Sequence, residues 1–510
     1  MTARGETDTR PTAATRRPRA RLETSKEPVV GLPDSGARSD RAIKGLQGSR
    51  RPPRDGRLPH SRTARRPPII DSKRHVRTPS RRNPTMRRRL AAWLMACAVF
   101  PFGLGIQLGA AEDWGMFRGP QGNGVAPEGS YPTAWSSTEH VVWKVKLPSP
   151  ANGSPIVANG RVFVTSSADK GRERSLICFD RANGKEVWTR TERCKDEMPT
   201  HASNPYGGST PASDGERVVV WHATAGLHAY DMAGKPVWSR DLGEFRHQWG
   251  YGTSPVIHQD RVYLHSGPGK RVFVAAFRLA DGTTVWETEE PQDGNGETRA
   301  DGRDMGSWST PVVVPVDGAN QLVCAMPTRL NAYDCESGKI VWSCNGLSGP
   351  NYSVVSGSPI VGDGLCVIHA GFRGPSMGIR IGGQGDITAS GRLWLETRNP
   401  ESISTGVLVD GHVYRANGGP GTIECVDAKT GKVLWKARAA GENYWASVIL
   451  AGGHLYVTGG KGTTVVFKAD PAEFAEVARN KIDEACNATP AFSDGQIFVR
   501  TFENLYCVGG

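Results

Sequence analysis

Gly153-Ser154-Pro155-Ile156-Val157, then Asn159-Gly160-Arg161-Val162-Phe163-Val164, Cys178-Phe179-Asp180 and Gly184-Lys185-Glu186-Val187-Trp188, make up one copy of a pattern that recurs down the chain. A small residue and Pro lead an apolar run into a Gly turn. An alternating stretch follows, then a small-aromatic-Asp element and a Gly-Lys turn that ends in Trp. Other copies run Ala229-Tyr230-Asp231 to Trp238, Ala276-Phe277 to Trp286, Ala332-Tyr333-Asp334 to Trp342, and Cys425-Val426-Asp427 to Trp435. Short alternating stretches repeating every 41 to 56 residues or so are the mark of small sheets arranged radially, a β-propeller.

Eight strand starts can be read. Ser154-Pro155, Thr210-Pro211, Ser254-Pro255, Thr310-Pro311 and Ser358-Pro359 are clean, Thr405-Gly406 and Ser447-Val448 are degenerate, and Thr489-Pro490 is clean again. Pro is tolerated at the first residue of a strand, where the ladder does not yet need its missing N–H. The last copy stops at Leu505-Tyr506-Cys507-Val508-Gly509-Gly510 without a fourth strand, whereas Val141–Leu147 stands before the first start. The expectation is an all-β, eight-bladed propeller of four-stranded antiparallel blades, its ring closed by that N-terminal strand and its edges thereby covered. Trp143, Trp188, Trp238, Trp286, Trp342, Trp394 and Trp435 share one slot in the repeat, which assigns them to wedges between blades.

The net charge of +12 is not spread evenly. Residues 1–85 hold 22 Lys/Arg against 8 Asp/Glu, and Arg87, Arg88 and Arg89 follow; the rest of the chain has 38 basic against 43 acidic residues. The repeat region is thus mildly acidic, and nucleic acid is not an expected partner. Residues 1–85 are rich in Arg, Pro, Ser and Thr and nearly free of aromatics, a composition that cannot offset ordering entropy. They read as a disordered basic segment or an over-extended gene start. Residues 86–111 join Met86-Arg87-Arg88-Arg89 to an apolar run and end in Gly109-Ala110-Ala111. That is the form of a signal peptide, with an N-terminal anchor as the alternative and the sole expected link to a membrane. Residues 112–510 form the propeller, expected to be exported to the periplasm or cell envelope.

Nine cysteines follow Cys97, an odd number. Cys178, Cys425 and Cys507 occupy the slot held elsewhere by Ala, so they read as core thiols; Cys335 and Cys344 are the one pair that could bridge within a blade. His201, His222, His228, His247, His258 and His265 lack the compact spacing of a zinc site. Asp293–Asp304 alternates oxygen ligands but has Thr298 where a tight Ca²⁺ loop needs Gly, and reads as a solvated loop. Gly382-Gly383-Gln384-Gly385-Asp386 has no helix behind it to cradle phosphate. No hydrolase or kinase motif is present, so no catalytic or metal-binding residue is assigned.

The recurring Ala/Cys-aromatic-Asp-x-x-x-Gly-Lys-x-apolar-Trp resembles the quinoprotein-type, or PQQ-like, propeller repeat over roughly residues 114–510. One branch of that family comprises dehydrogenases of alcohols or sugars that hold pyrroloquinoline quinone and Ca²⁺ in the central channel. The other comprises non-catalytic propellers, including the outer-membrane-assembly lipoprotein and many exported bacterial proteins. The opening Trp114-Gly115-Met116-Phe117-Arg118-Gly119-Pro120-Gln121-Gly122-Asn123-Gly124 is similar to the start of the latter. The adjacent cysteines typical of the dehydrogenases are missing, as is a Cys-x-x-Cys-His haem motif. The resemblance therefore implies a non-catalytic scaffold binding an envelope protein or a glycan, with no cofactor assigned; the alternative is a quinone- and calcium-dependent dehydrogenase. Loops entering the inner strands carry Tyr206, Trp249, Tyr251, Trp308, Tyr352 and Trp445, near Asn204, His247, Asn351, Glu442 and Asn443. These six aromatics are expected at one mouth of the axial channel, as ligand-binding candidates.

Overall fold

The computed structural model describes residues 113–291, 293–400 and 403–509; the basic segment and the signal or anchor segment lie outside them. Alternating apolar stretches separated by Gly and Asp turns form antiparallel sheets, each laid down in chain order from the channel outward. Blade 1 comprises Ile156–Ala158, Arg161–Ala168, Glu173–Asp180 and Glu186–Arg193. Six more blades follow, their inner strands beginning at Ala212, Val256, Val312, Ile360, Val407 and Ile449. The eighth takes three strands from the C-terminus, Ala491–Ser493, Gln496–Arg500 and Asn504–Val508. Its fourth is Val141–Lys146, which pairs antiparallel with Asn504–Val508, from Val141 opposite Val508 to Lys146 opposite Asn504. The result is an eight-bladed propeller.

The repeat has a local reason at each step. In all eight blades the register between the third and outer strands slips just after the residue opposite the outer-strand wedge slot, at Cys178, Ala229, Ala276, Ala332, Gly378, Cys425, Val466 or Cys507. Such a bulge adds twist and turns the outer strand. The Asp of the element then secures the turn: Asp427 Oδ1 accepts the N–H groups of Lys429 and Thr430.

The tryptophan slot lies between blades. Six indole N–H groups donate to a carbonyl of the next blade: Trp143 to Arg181, Trp188 to Met232, Trp238 to Leu279, Trp286 to Cys335, Trp394 to Ala428 and Trp435 to Asp470, at 2.8–3.1 Å. The turn glycine of the next blade must lie flat on the indole. A Cβ on Gly338 would sit 2.4 Å from the Trp286 ring. Trp342 differs. It is fully buried, but its N–H turns to Gln321 of its own blade at 2.8 Å, and Gly385–Asp386 adds a fifth, parallel strand outside it.

Blade 7 has Ala478, not Trp, opposite Val466 in this slot. Trp135, from the segment ahead of the first strand, fills the gap. It stacks on Tyr456 with centroids 6.4 Å apart and planes at 15°. That placement corresponds to Trp286 beside Tyr263 and Trp435 beside Tyr414. Asn480 holds the segment by accepting from Trp135 N–H at 2.8 Å and donating to the Thr133 carbonyl at 2.9 Å.

All nine described cysteines are buried free thiols, Cys335 and Cys344 among them. Upstream, Trp114–Val125 crosses one end of the channel. Trp114 pairs with Val157 of blade 1, the Gly115 carbonyl accepts from Ser213 of blade 2, and Val125 bridges to Leu450 of blade 7. Arg118, fully buried, donates to the carbonyl of Gly406 in blade 6.

Candidate functional site

The end of the channel opposite Trp114–Val125 opens into a cup of about 430 Å³. Its lower wall is the ring of strand starts: Ser154, Thr210, Ser254, Thr310, Ser358, Thr405, Ser447 and Thr489 all line it, with Phe117 reaching in from the crossing segment. The residue after six of these is Pro and cannot donate, so the start residue's own N–H does. The N–H of Ser154 donates to Thr210 Oγ1, Thr210 to Ser254 Oγ, Ser254 to Thr310 Oγ1, Thr310 to Ser358 Oγ and Ser358 to Thr405 Oγ1, at 2.9–3.2 Å. Ser447 donates to Thr489 and Thr489 back to Ser154, at 2.9 and 3.0 Å. The step between blades 6 and 7 is made differently. There Val448, standing where other starts have Pro, donates its N–H to the Thr405 carbonyl at 3.0 Å.

Above the ring the cup has two unlike walls. Trp249, Trp308, Phe372 and Trp445 form the aromatic one. Trp249 stacks on Phe372 (centroids 5.0 Å, planes 24°) and tilts against Trp308 at 5.8 Å. Trp308 is fixed by its indole N–H on the Gly250 carbonyl at 2.9 Å and by the buried ring of His247, edge-on at 5.0 Å. Burial holds His247 below the ordinary imidazole pKa, against the pull of Asp304. Phe372 and Arg373 both have left-handed backbone, φ 50° and 60°. For side chains other than Gly that conformation costs of order 1–3 kcal/mol, and such strain gathers at ligand sites.

The other wall is an amide relay. Asn487 Nδ2 donates to Asn152 Oδ1 at 3.2 Å, Asn152 Nδ2 to Asn204 Oδ1 at 3.1 Å, and Asn204 Nδ2 to the carbonyls of Trp249 and Tyr251 at 2.8 and 3.1 Å. His201, exposed at the rim, shares a 2.7 Å hydrogen bond with Ser203.

Of the six aromatics expected at the mouth, Trp249, Trp308 and Trp445 line the cup. Tyr352 stands at its outer edge, 37% exposed, beside Trp249 and Phe372. Tyr206 and Tyr251 do not line it, which corrects that expectation. Both turn beneath the loops and pack on Arg174, the guanidinium carbon lying 5.0 Å from each ring centroid. Gly250, φ 71°, is the pivot that sends Trp249 up and Tyr251 down. Glu442 is also structural: its buried carboxylate accepts from Lys461 N–H and Thr463 Oγ1. Phe372, Phe117 and the hydroxyl ring's role in the lining escaped the sequence reading. The run Gly371-Phe372-Arg373-Gly374, an aromatic in a turn flanked by Gly, is the available sequence signal for the first.

Elsewhere the carboxylates of Asp293–Asp304 diverge: Asp293 pairs with Arg329 at 2.7 Å, and Asp304 accepts from Gln248 at 3.0 Å. Among the described residues no three His, Cys, Asp or Glu side chains converge as a metal site would require.

A family model described as outer membrane protein assembly factor BamB matches residues 125–205, 172–437 and 419–508. The chain belongs to the BamB family. BamB from Moraxella catarrhalis superposes with a TM-score of 0.52 at 15% identity, over 72% of this chain and 98% of that one. The quinohemoprotein alcohol dehydrogenase of Comamonas testosteroni superposes at 0.55 and 14% identity, over 78% of this chain and 81% of that one. At these identities the likeness is one of fold. No curated protein matches the sequence.

The dehydrogenase neighbour raises the question of whether this BamB-family cup suits pyrroloquinoline quinone with Ca²⁺. The quinone is a tricarboxylic acid, and Ca²⁺ takes six to eight hard oxygen ligands, carboxylates prominent among them. Among the described residues no Asp, Glu, Lys or Arg side chain lines the cup. The residues present do not fit the pair: His201 at the rim is the one basic side chain among the described lining residues to meet the quinone's three carboxylates, and only neutral oxygens would meet the ion.

Proposed function

We propose that the protein is an exported, non-catalytic binding scaffold of the cell envelope whose cup takes an uncharged, aromatic-bearing segment of an envelope protein. The uncharged lining carries this reading. A pocket with rigid aromatics on one side and amide and hydroxyl groups on the other offers apolar burial and a few orienting hydrogen bonds. No Asp, Glu, Lys or Arg side chain among the described residues lines it, and His201 at the rim is its one titratable side chain. The description of the family as an assembly factor supports a protein partner. Sugar rings share this amphipathic character, so a neutral glycan is the competing ligand.

Calorimetry with two probe sets separates them: neutral peptides with alternating aromatic residues, and neutral oligosaccharides. The account expects saturable binding of the peptides, weakened at least tenfold in Trp249→Ala and Trp445→Ala, since anchoring aromatics carry about 2 kcal/mol or more in such sites. Binding of oligosaccharides alone would move the assignment to glycans. Binding untouched by both substitutions would remove the cup from it.

A further inference from the structure

Arg174 opens the third strand of blade 1 and is 1% exposed. The rings of Tyr206 and Tyr251 each lie 5.0 Å from its guanidinium carbon, which supplies cation–π attraction but leaves the N–H groups to find acceptors. Nε and Nη1 find none, and neither does Tyr251 Oη. Nor is there a counter-charge. Cys194, His222 and Tyr251 all feel the guanidinium, but burial raises the thiol and the phenol and lowers the imidazole, so all three are neutral near pH 7. Among the other buried arginines, Arg415 pairs with Glu424 at 2.8 Å and Arg329 with Glu290 at 2.9 Å. Arg118 and Arg500 reach the carbonyls of Gly406 and Gly153, though each also leaves two guanidinium nitrogens without an acceptor. Arg174 has no ion pair among the described residues.

Beside it lies a small pocket walled by Arg174, Tyr206, Tyr251, Met198 and Phe245, leaving about 10 Å³ for the centre of a water-sized particle. That is room for one small species and excludes sulfate, phosphate or an organic acid. A charge in dry surroundings demands an opposite charge or a large desolvation penalty. The guanidinium of Arg174 and the phenol of Tyr251, which interact with each other, border the pocket, and both can donate.

We propose that this pocket is a structural site for a single small inorganic monoanion of chloride size, held by Arg174 and Tyr251. The ion supplies the acceptor that Nε and Nη1 of Arg174 lack. Its consequence reaches the cup. Tyr206 belongs to the loop that delivers His201, Ser203 and Asn204 to the rim, and Tyr251 lies two residues beyond Trp249. Filling the pocket fixes both loops from below.

The test is thermal melting of the full protein in sodium chloride and in sodium gluconate at equal ionic strength, a comparison that avoids the general stabilisation by sulfate. A saturable chloride-specific rise of about 2 °C or more is expected, as for a ligand that binds only the native state, and it is lost in Arg174→Met. A second measurement does not depend on that variant's folding: crystals of the unaltered protein grown in chloride are measured at long wavelength. An anomalous peak in the guanidinium plane supports the site. A water without anomalous signal there, or equal melting in the two salts, overturns it.

Discussion

The backbone N–H of Thr489 donates to Ser154 Oγ at 3.0 Å, joining the eighth blade to the first across 335 residues. Six further blade-to-blade steps use the same bond, so the lining of the cup is also a belt around the axis. Replacing Thr210 by Val removes an acceptor while keeping its shape, and strands the buried N–H of Ser154. A buried unsatisfied donor costs about 1–3 kcal/mol. Denaturant unfolding should show a loss of that size for Thr210→Val and a much smaller one for Thr210→Ser.

Trp135 is the one wedge supplied from outside the repeat. Truncating a buried Trp costs about 3–5 kcal/mol, so Trp135→Ala should destabilise the protein as much as Trp286→Ala does. Calorimetric unfolding compares them directly; an unchanged Trp135→Ala would mean that the stack on Tyr456 does not stabilise the fold.

The eight blades and the wedge slot were legible because each residue in the repeat answers a local demand: Pro where no donor is needed, Gly where an indole lies flat, Asp where a turn needs an acceptor. Orientation in the loops was not legible. Trp249 and Tyr251 are two residues apart, and only the positive φ of Gly250 sends one to the cup and the other under it. Trp135 was invisible for a different reason: it replaces a missing repeat residue in space, at a sequence distance no pattern records.

Two turn glycines separate backbone strain from contact. Gly338 and Gly364 have φ 71° and 72°, but a Cβ would strike the Trp286 ring at the first and meet nothing within 4 Å at the second. Gly364→Ala should cost about 1–2 kcal/mol, the left-handed penalty alone. Gly338→Ala should cost clearly more, and paired melting curves would show it.

The outer strand of blade 8 carries an acid-sensitive clasp. Burial by itself would raise the pKa of Glu484, but hydrogen bonds from Asn504, Thr501, Tyr506 and the Lys144 ammonium outweigh it and hold the carboxyl at about 2. A carboxyl lowered in the folded state contributes stability that is present above its ordinary pKa, near 4.5, and is lost as pH falls toward 2. Stability should decline through that window, and Glu484→Gln should flatten this part of the decline. Deleting residues 140–147, which include Lys144, should lower the melting temperature sharply and promote association through the bared edge. A deletion that melts like the intact protein would count against the strand's role.

A cup lined by no Asp, Glu, Lys or Arg among the described residues should not take the quinone. Titrating the protein calorimetrically with pyrroloquinoline quinone and Ca²⁺ decides this: no saturable heat is expected with or without the ion. Tight, one-to-one, Ca²⁺-dependent binding would contradict it and return the protein to the dehydrogenases.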